Sequence, residues 1–518
     1  MNDFQTEQVA EHQSYPMLEF CRDALRKVSV VYVGWLMLAG VMAFVAYSLN
    51  RGSPIGAIPS ALIIYYLVAF VHVAFRVKTG GKANILSPDI LFVLLYTMFH
   101  LGYVTLYALG IIPYSGDVFV FEISIPKALF IINLGLISFL LGHEIIGSRS
   151  SSPKVMGHIR IPGLSWCIFG LIFMAIAVSA HLIVVIFMAP YIPIYGYTAL
   201  QRIDEYSNSI LLTLFWRNAP HLMVLGMLIY TLSSALRYGK LFRSKLALVL
   251  VMVYFALVIM EGDRGPILQL GAPLLLVRHY LVKRIRIRYL AVLSVATLIL
   301  FAGLGVVRTT IFKPKTMLEE YKYQKTSGQL TWASPFIEMG QSFLVVDITS
   351  HEVPTIESYW KGASWRDATF HIIPFLQGFA FRHGWATWAP SEWLTTTYYG
   401  SGRAGRAFTV AAEGYLNFGY PGVVIELMFF GIFIRWLTIR FSKNPSAVWG
   451  IIMLGCIGAS IMVIRNHVGI VFSICAHVMV VAALLNMLLG QEPSYEDETE
   501  GAILLPHGDM SYMGSIDS

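Results

Sequence analysis

Guanidinium groups are the first chemistry that this sequence offers. Arg217, Arg264, Arg308 and Arg465 stand in or at the ends of long apolar runs, Arg202 lies in a short loop between two of them, and Arg366, Arg382, Arg403 and Arg406 lie in the one long interval between such runs. An arginine next to hydrocarbon is costly and calls for a reason. Its planar fork matches phosphate oxygens bidentately, so as a set these residues suit a phosphate-bearing ligand. Taken singly, each is equally compatible with snorkelling to an interface or with an ion pair to Glu205, Asp263 or Glu413.

Three short motifs sharpen that reading. In "EGDRGP" (Glu261 to Pro266) the glycines permit a tight turn and Pro266 suits a first helical position, so amides at that helix start would favour an anion beside Arg264. In "AAEGYLNFGYPG" (Ala411 to Gly422) Glu413 is a carboxylate with the reach of a general base or of an arginine partner, and Asn417 with the glycines implies a shaped turn. A plain helix start with interfacial Tyr415 is the simpler alternative. In "VIRNHVG" Arg465, Asn466 and His467 share a minimal turn, and His467 is either a second proton acceptor or a structural imidazole. Arg217 falls in "WRNAPH", about two turns inside an expected helix, with Pro220 to kink it and His221 on the same face.

Aromatic residues supply a different chemistry. The interval 309–419 holds Trp332, Trp360, Trp365, Trp385, Trp388 and Trp393, six of the eleven tryptophans. Indole and phenol faces pack on sugar C–H surfaces while their polar edges satisfy hydroxyls. Trp385, Trp388 and Tyr415, with Asn417, are the candidates for contact with a glycan, and anchoring at the headgroup level is the alternative.

Absences narrow the chemistry. There is no Walker P-loop, which argues against ATP-driven transport. "GSGRAG" (Gly400 to Gly405) matches GxGxxG without a preceding strand, so it is no dinucleotide site, although a phosphate-contacting loop stays open. No HExxH, Cys/His cluster or DxD triplet points to a metal, and no cofactor is expected. The four cysteines are too few for a disulfide framework.

The elements that must position these residues follow from composition. The 518 residues are only 13% charged and 56% hydrophobic, too little polar surface for a soluble chain of this size. The expected fold class is an all-α polytopic membrane protein. A span needs about 20 apolar residues. Runs of that kind lie near 28–49, 56–76, 88–111, 126–146, 163–189, 209–235, 244–261, 265–282, 288–308, 420–440, 447–464 and 468–489, about twelve in all.

Alternate loops carry the basic residues, including Arg22, Arg26, Arg76, Lys78, Arg149, Arg237, Arg284 and Arg440. Such loops stay in the cytoplasm, so both termini are expected inside and the net charge of +7 is mostly topological rather than a nucleic-acid signal. The expected organisation is a cytoplasmic segment 1–27, a first membrane part 28–308, an extracytoplasmic loop 309–419, a last membrane part 420–489 and an acidic cytoplasmic tail 490–518. The first apolar run reads as an uncleaved anchor.

Taken in order, "GDRG" after a span, a long external loop with "GASW" and "IIPF", then "AEGYLNFGYPG" and an Arg-Asn turn between late spans resemble the bacterial oligosaccharide repeat-unit polymerases of the Wzy-like O-antigen polymerase group. The resemblance covers roughly residues 200–490. Where such proteins often carry a lysine-proline pair after the "IIP" segment, this chain reads "FRHGW", which leaves Arg382 alone for phosphate there.

The resemblance implies a GT-C-like glycosyltransferase joining undecaprenyl-diphosphate-linked repeat units into a surface polysaccharide at the outer face of the cytoplasmic membrane. A flippase and a chain-length regulator are implied partners. Arg264, Arg308 and Arg465, with Arg202 and Arg217 second, would stabilise the diphosphate, and Glu413 or His467 would take the acceptor proton. A ligase passing finished glycan to another acceptor, and a transporter, are the competing classes.

Overall fold

The computed structural model describes residues 15–53, 55–80, 86–112, 121–147, 162–188, 210–261, 265–283, 340–373, 389–399, 407–443 and 446–489, with a few residues between 285 and 296 and between 376 and 385. Helices α1 (Tyr15–Leu49), α2 (Ala57–Gly80), α3 (Pro88–Ala108), α4 (Ile125–Gly147), α5 (Leu164–Met188), α6 (Ile210–Tyr238), α7 (Lys245–Glu261) and α8 (Gly265–Val277) form the first part. After them come α9 (Gln341–Glu352), α10 (Ala363–Ile372), α11 (Pro390–Leu394), α12 (Val410–Phe418), α13 (Tyr420–Lys443), α14 (Ala447–Met462) and α15 (Val468–Leu489).

No β-strand is present among the described residues. Helices satisfy every backbone polar group within the segment, which is what hydrocarbon demands. Among the described residues eight helices, α1 to α6 with α13 and α15, are long and apolar enough to cross a membrane, and α7 and α14 are shorter apolar helices. The expected run 265–282 is α8 continued by a π-helical turn at Arg278–Val282. The run 288–308 lies mostly outside the described residues. Outward faces are apolar, as in α1, where Val30, Met37, Val41 and Phe44 are exposed. The protein is a polytopic helical membrane protein.

Helix α4 is central and packs along α13 and against α1, α2 and α9. Its backbone touches that of α13, where a Cβ on Gly431 would collide with the Phe139 carbonyl and one on Gly142 with that of Met428. Small residues at such crossings let van der Waals packing replace the hydrophobic driving force that lipid removes.

At the far end of α13 from its junction with α12, a buried polar cluster ties four helices. His72 Nε2 lies 3.0 Å from Asp89 Oδ2 and the Tyr32 hydroxyl 2.7 Å from His72 Nδ1. Arg76 Nε donates to Asp89 at 2.7 Å and its Nη2 reaches Glu144. Arg76, which the charge pattern groups with the loop cations, is therefore a half-buried residue of α2 paired with two buried carboxylates. The hydropathy pattern cannot reveal this, because the carboxylates that hold it come from α3 and α4.

The interval 309–419 is not simply a surface loop. Within it α9 is buried continuously from Ser342 to Ser350 and packs on α3, α4 and α12. Asp347 accepts the Phe121 N–H at 3.1 Å and the Ser124 hydroxyl, and Lys127 Nζ donates to the Ser350 carbonyl at 2.6 Å. Polar side chains at the start of α4 thus satisfy a polar helix that is inserted into the protein.

Candidate functional site

The site is built on the hairpin of α12 and α13. Thr409 starts α12, its hydroxyl accepting the Ala412 N–H at 3.3 Å, and the Val410 N–H donates to the Val463 carbonyl at 3.1 Å. Gly419, at φ +68°, ends α12 and reverses the chain, in a conformation that suits glycine. Gly414 and Gly422 then lie backbone to backbone across the hairpin. From the preceding interval, the Trp360 and Lys361 N–H groups donate to the Leu416 and Asn417 carbonyls at 3.0 and 2.9 Å. These bonds occupy carbonyls that a helix C-terminus leaves open.

Glu413 sits at the centre, fully buried. Ser364 Oγ donates to Glu413 Oε1 at 2.6 Å, and the Val468 N–H donates to Glu413 Oε2 at 2.7 Å. Asn417 Nδ2 donates to Ser364 Oγ at 2.7 Å and to the Glu413 carbonyl at 3.0 Å. Three segments that are remote in sequence therefore meet at one carboxylate: "GASW" through the Ser364 hydroxyl, "AEGYLNFG" through Glu413 and Asn417, and "RNHVG" through the Val468 backbone N–H. Val468 opens α15, so the carboxylate also meets the positive end of a helix dipole. Burial pushes the Glu413 carboxyl up to about 7, against the opposing pull of the Ser364 and Val468 bonds.

His467 is adjacent and buried, its ring 5.3 Å from that of His371 on α10. Burial, then the His371 neighbour, pulls His467 down to about 3, so the imidazole is neutral and weakly basic near pH 7. Arg465 lies on the same turn, half-buried, with its guanidinium carbon 5.3 Å from the Phe99 ring centroid. Arg366 lies on α10 in an ion pair with Asp367 at 2.8 Å.

The other sequence candidates scatter. Tyr415 is buried on α12 beside the Tyr359 hydroxyl at 3.4 Å, with Lys127 Nζ 4.9 Å from its ring centroid. Trp385 is exposed and packs with Phe379 and His383. Arg202, Arg264, Arg308 and Trp388 lie outside the described residues, as do Arg382, Arg403 and Arg406. Arg217 belongs to α6, but its side chain is outside them too.

Three residues that sequence reasoning did not single out belong to the site. Ser364 bridges Glu413 and Asn417. Trp365 Nε1 donates to Glu426 Oε2 at 3.0 Å, and Glu426 is buried on α13, with Oε1 lacking a hydrogen-bond partner. A lone acid in the apolar stretch "VVIELMFF" was the available signal, because such residues in spans are rare without a role. Two other tryptophans of the interval are held by one carboxylate: Trp360 and Trp393 donate to the two oxygens of Glu357 at 3.1 and 2.6 Å.

The site is therefore a buried polar junction that links a long inter-span segment to the last spans, with the Arg465 turn beside it. The family model described as O-antigen polysaccharide polymerase Wzy matches residues 32–490, which include every residue of the junction. Neither the curated proteins nor the solved structures yield a match. The ligase and transporter readings gain no support from these comparisons. With most of the chain and the whole Ser364–Glu413–Val468 junction inside the match, the chain belongs to the Wzy family of O-antigen repeat-unit polymerases.

Proposed function

We propose that the protein performs block transfer at the outer face of the cytoplasmic membrane. The growing chain on undecaprenyl diphosphate is the donor, and the terminal sugar hydroxyl of a new lipid-linked unit is the acceptor. The acceptor oxygen attacks the anomeric carbon, the bond to the diphosphate breaks, and the electron pair leaves on the diphosphate. Arg264, Arg308 and Arg465 meet that developing charge, with Arg202 and Arg217 beside them. The acceptor proton passes to a carboxylate or an imidazole, with Glu413 on the α12–α13 hairpin the first sequence candidate and His467 on the turn before α15 the second. With so good a leaving group, positioning carries much of the rate enhancement.

The observation that carries this reading is the pair of bonds from Ser364 and Val468 to Glu413, which fixes the Arg465 turn beside the hairpin. In this reading residues 28–308 and 420–489 form a GT-C-like membrane domain of about twelve spans. The segment 309–419 faces outward and both termini face the cytoplasm. Trp385, Trp388, Tyr415 and Asn417 contact or shape the glycan path. A flippase supplies the lipid-linked unit and a chain-length regulator limits the product.

Deleting the gene and separating surface glycan on a gel tests the reading. Loss of the ladder with single repeat units remaining is expected. Long lipid-linked chains persisting without transfer would instead indicate a ligase.

A further inference from the structure

The α12–α13 hairpin buries a second carboxyl group that the chemistry above leaves unused. Glu426 lies six residues beyond Tyr420 on α13 and is 4% exposed. It is close enough to Glu413 for the two charges to act on each other. The two carboxyl groups differ in what holds them. Both oxygens of Glu413 are occupied by donors from the protein, and the group is 0% exposed. Glu426 has one oxygen held by the Trp365 indole N–H, while Oε1 is buried and bare.

A buried acceptor without a partner is costly, and it persists where something else is to occupy it. One oxygen oriented by the protein and the other left open is the arrangement a proton-accepting carboxylate needs. Trp365 is half-buried and its ring lies 5.2 Å from that of Phe418, which is itself 40% exposed. Ile425 and Phe429, on the adjoining face of α13, are exposed and apolar, as the lipid-facing side of a span is. A sugar stacked on the indole would bring a hydroxyl toward the carboxyl group that the same indole holds.

We infer that Glu426 is the carboxyl group that meets the acceptor hydroxyl, with Trp365 as its positioning residue and sugar platform, and Glu413 as the residue that fixes the neighbouring turn. In the transfer step the acceptor oxygen bonds to the anomeric carbon, the bond to the diphosphate breaks with its electron pair, and the hydroxyl proton passes to Glu426 Oε1. The assignment rests on the lipid-diphosphate reading above.

The test uses full-length protein in liposomes with synthetic repeat units on polyprenyl diphosphate, measuring initial rates over a range of unit concentrations. Glu426→Gln keeps the shape and the bond to Trp365 but cannot take a proton. It is expected to lower kcat about a hundredfold with little change in KM and normal thermal stability. Glu413→Gln, which can still accept from Val468 and pair with Ser364, is expected to lose only about tenfold.

Should Glu426→Gln fail to insert, Trp365→Phe keeps the aromatic platform and removes the N–H. It is expected to lower kcat with KM nearly unchanged, and an unchanged kcat overturns the assignment. Wild-type protein that extends the units while Glu426→Gln extends them equally well overturns the assignment alone. Wild-type protein that cannot extend them overturns the lipid-diphosphate reading and the assignment with it.

Discussion

The Glu413 carboxylate accepts the backbone N–H of Val468 at 2.7 Å, so a residue of α12 caps the start of α15 across 55 residues of chain. This bond holds the Arg465–His467 turn against the hairpin. Glu413→Ala should strand the Val468 N–H and the Ser364 hydroxyl, costing roughly 1–3 kcal/mol for each unsatisfied buried group. Glu413→Gln should retain most of that stability. Thermal melts in detergent check this, and equal melting of Glu413→Ala and wild type would remove the capping role.

The same carboxyl gives a pH signature. Its folded pKa of about 7 lies above the ordinary 4.5, so the folded state binds the proton more tightly than the unfolded state. The group's stabilising contribution is full below about 4.5 and is lost as pH rises through about 7. A shift of that size corresponds to about 3 kcal/mol. Melting temperature should therefore fall between pH 5 and 8 in wild type, with a shallower fall in Glu413→Gln. Parallel slopes would show that other groups set the dependence.

Arg264 is expected to recognise diphosphate through its planar fork rather than through charge alone. Arg264→Lys keeps the charge and loses the bidentate geometry, so polymer formation should drop about a hundredfold, near 3 kcal/mol in the barrier. Arg264→Ala should be at least as damaging, with both proteins at normal abundance. Ladder formation close to wild type in Arg264→Ala would reduce "GDRG" to a turn and pass its role to Arg308 and Arg465.

The tryptophans of the interval divide by environment. Trp385 is 53% exposed, whereas Trp393 is buried and donates to Glu357. Trp385→Ala should shorten chains while the protein stays at normal abundance. Trp393→Ala should lower abundance first, by removing a packed ring that costs roughly 3–5 kcal/mol. Immunoblots beside glycan gels separate the two effects, and joint loss in Trp385→Ala would favour anchoring.

Cysteine probes test the orientation. Impermeant thiol reagent added outside should label probes within 355–358 and spare probes beside Arg149 or Arg284. The opposite pattern would put the arginines and the hairpin on the wrong side for an external substrate.

Much of the architecture was legible because hydrophobicity is a local property. Runs such as 126–146 and 420–440 became α4 and α13 with small shifts at their ends, since length and apolar content suffice to name a span. The motifs around Glu413 and His467 were legible as candidates. Their partners were not, because Ser364 and Val468 are ordinary residues until packing brings them to one carboxylate. Arg76 shows the same limit in reverse: its neighbours in sequence suggest a loop cation, and only the buried Asp89 and Glu144 make it an ion-pair partner.

A helical membrane protein, and the segments in which its chemistry is concentrated, follow from residue type and short-range spacing alone. Folding adds that α9 is buried, that both oxygens of Glu413 are occupied, and that Glu426 keeps one oxygen bare. Those facts depend on hydrogen bonds and helix crossings between segments 49 to 226 residues apart, which no local pattern encodes.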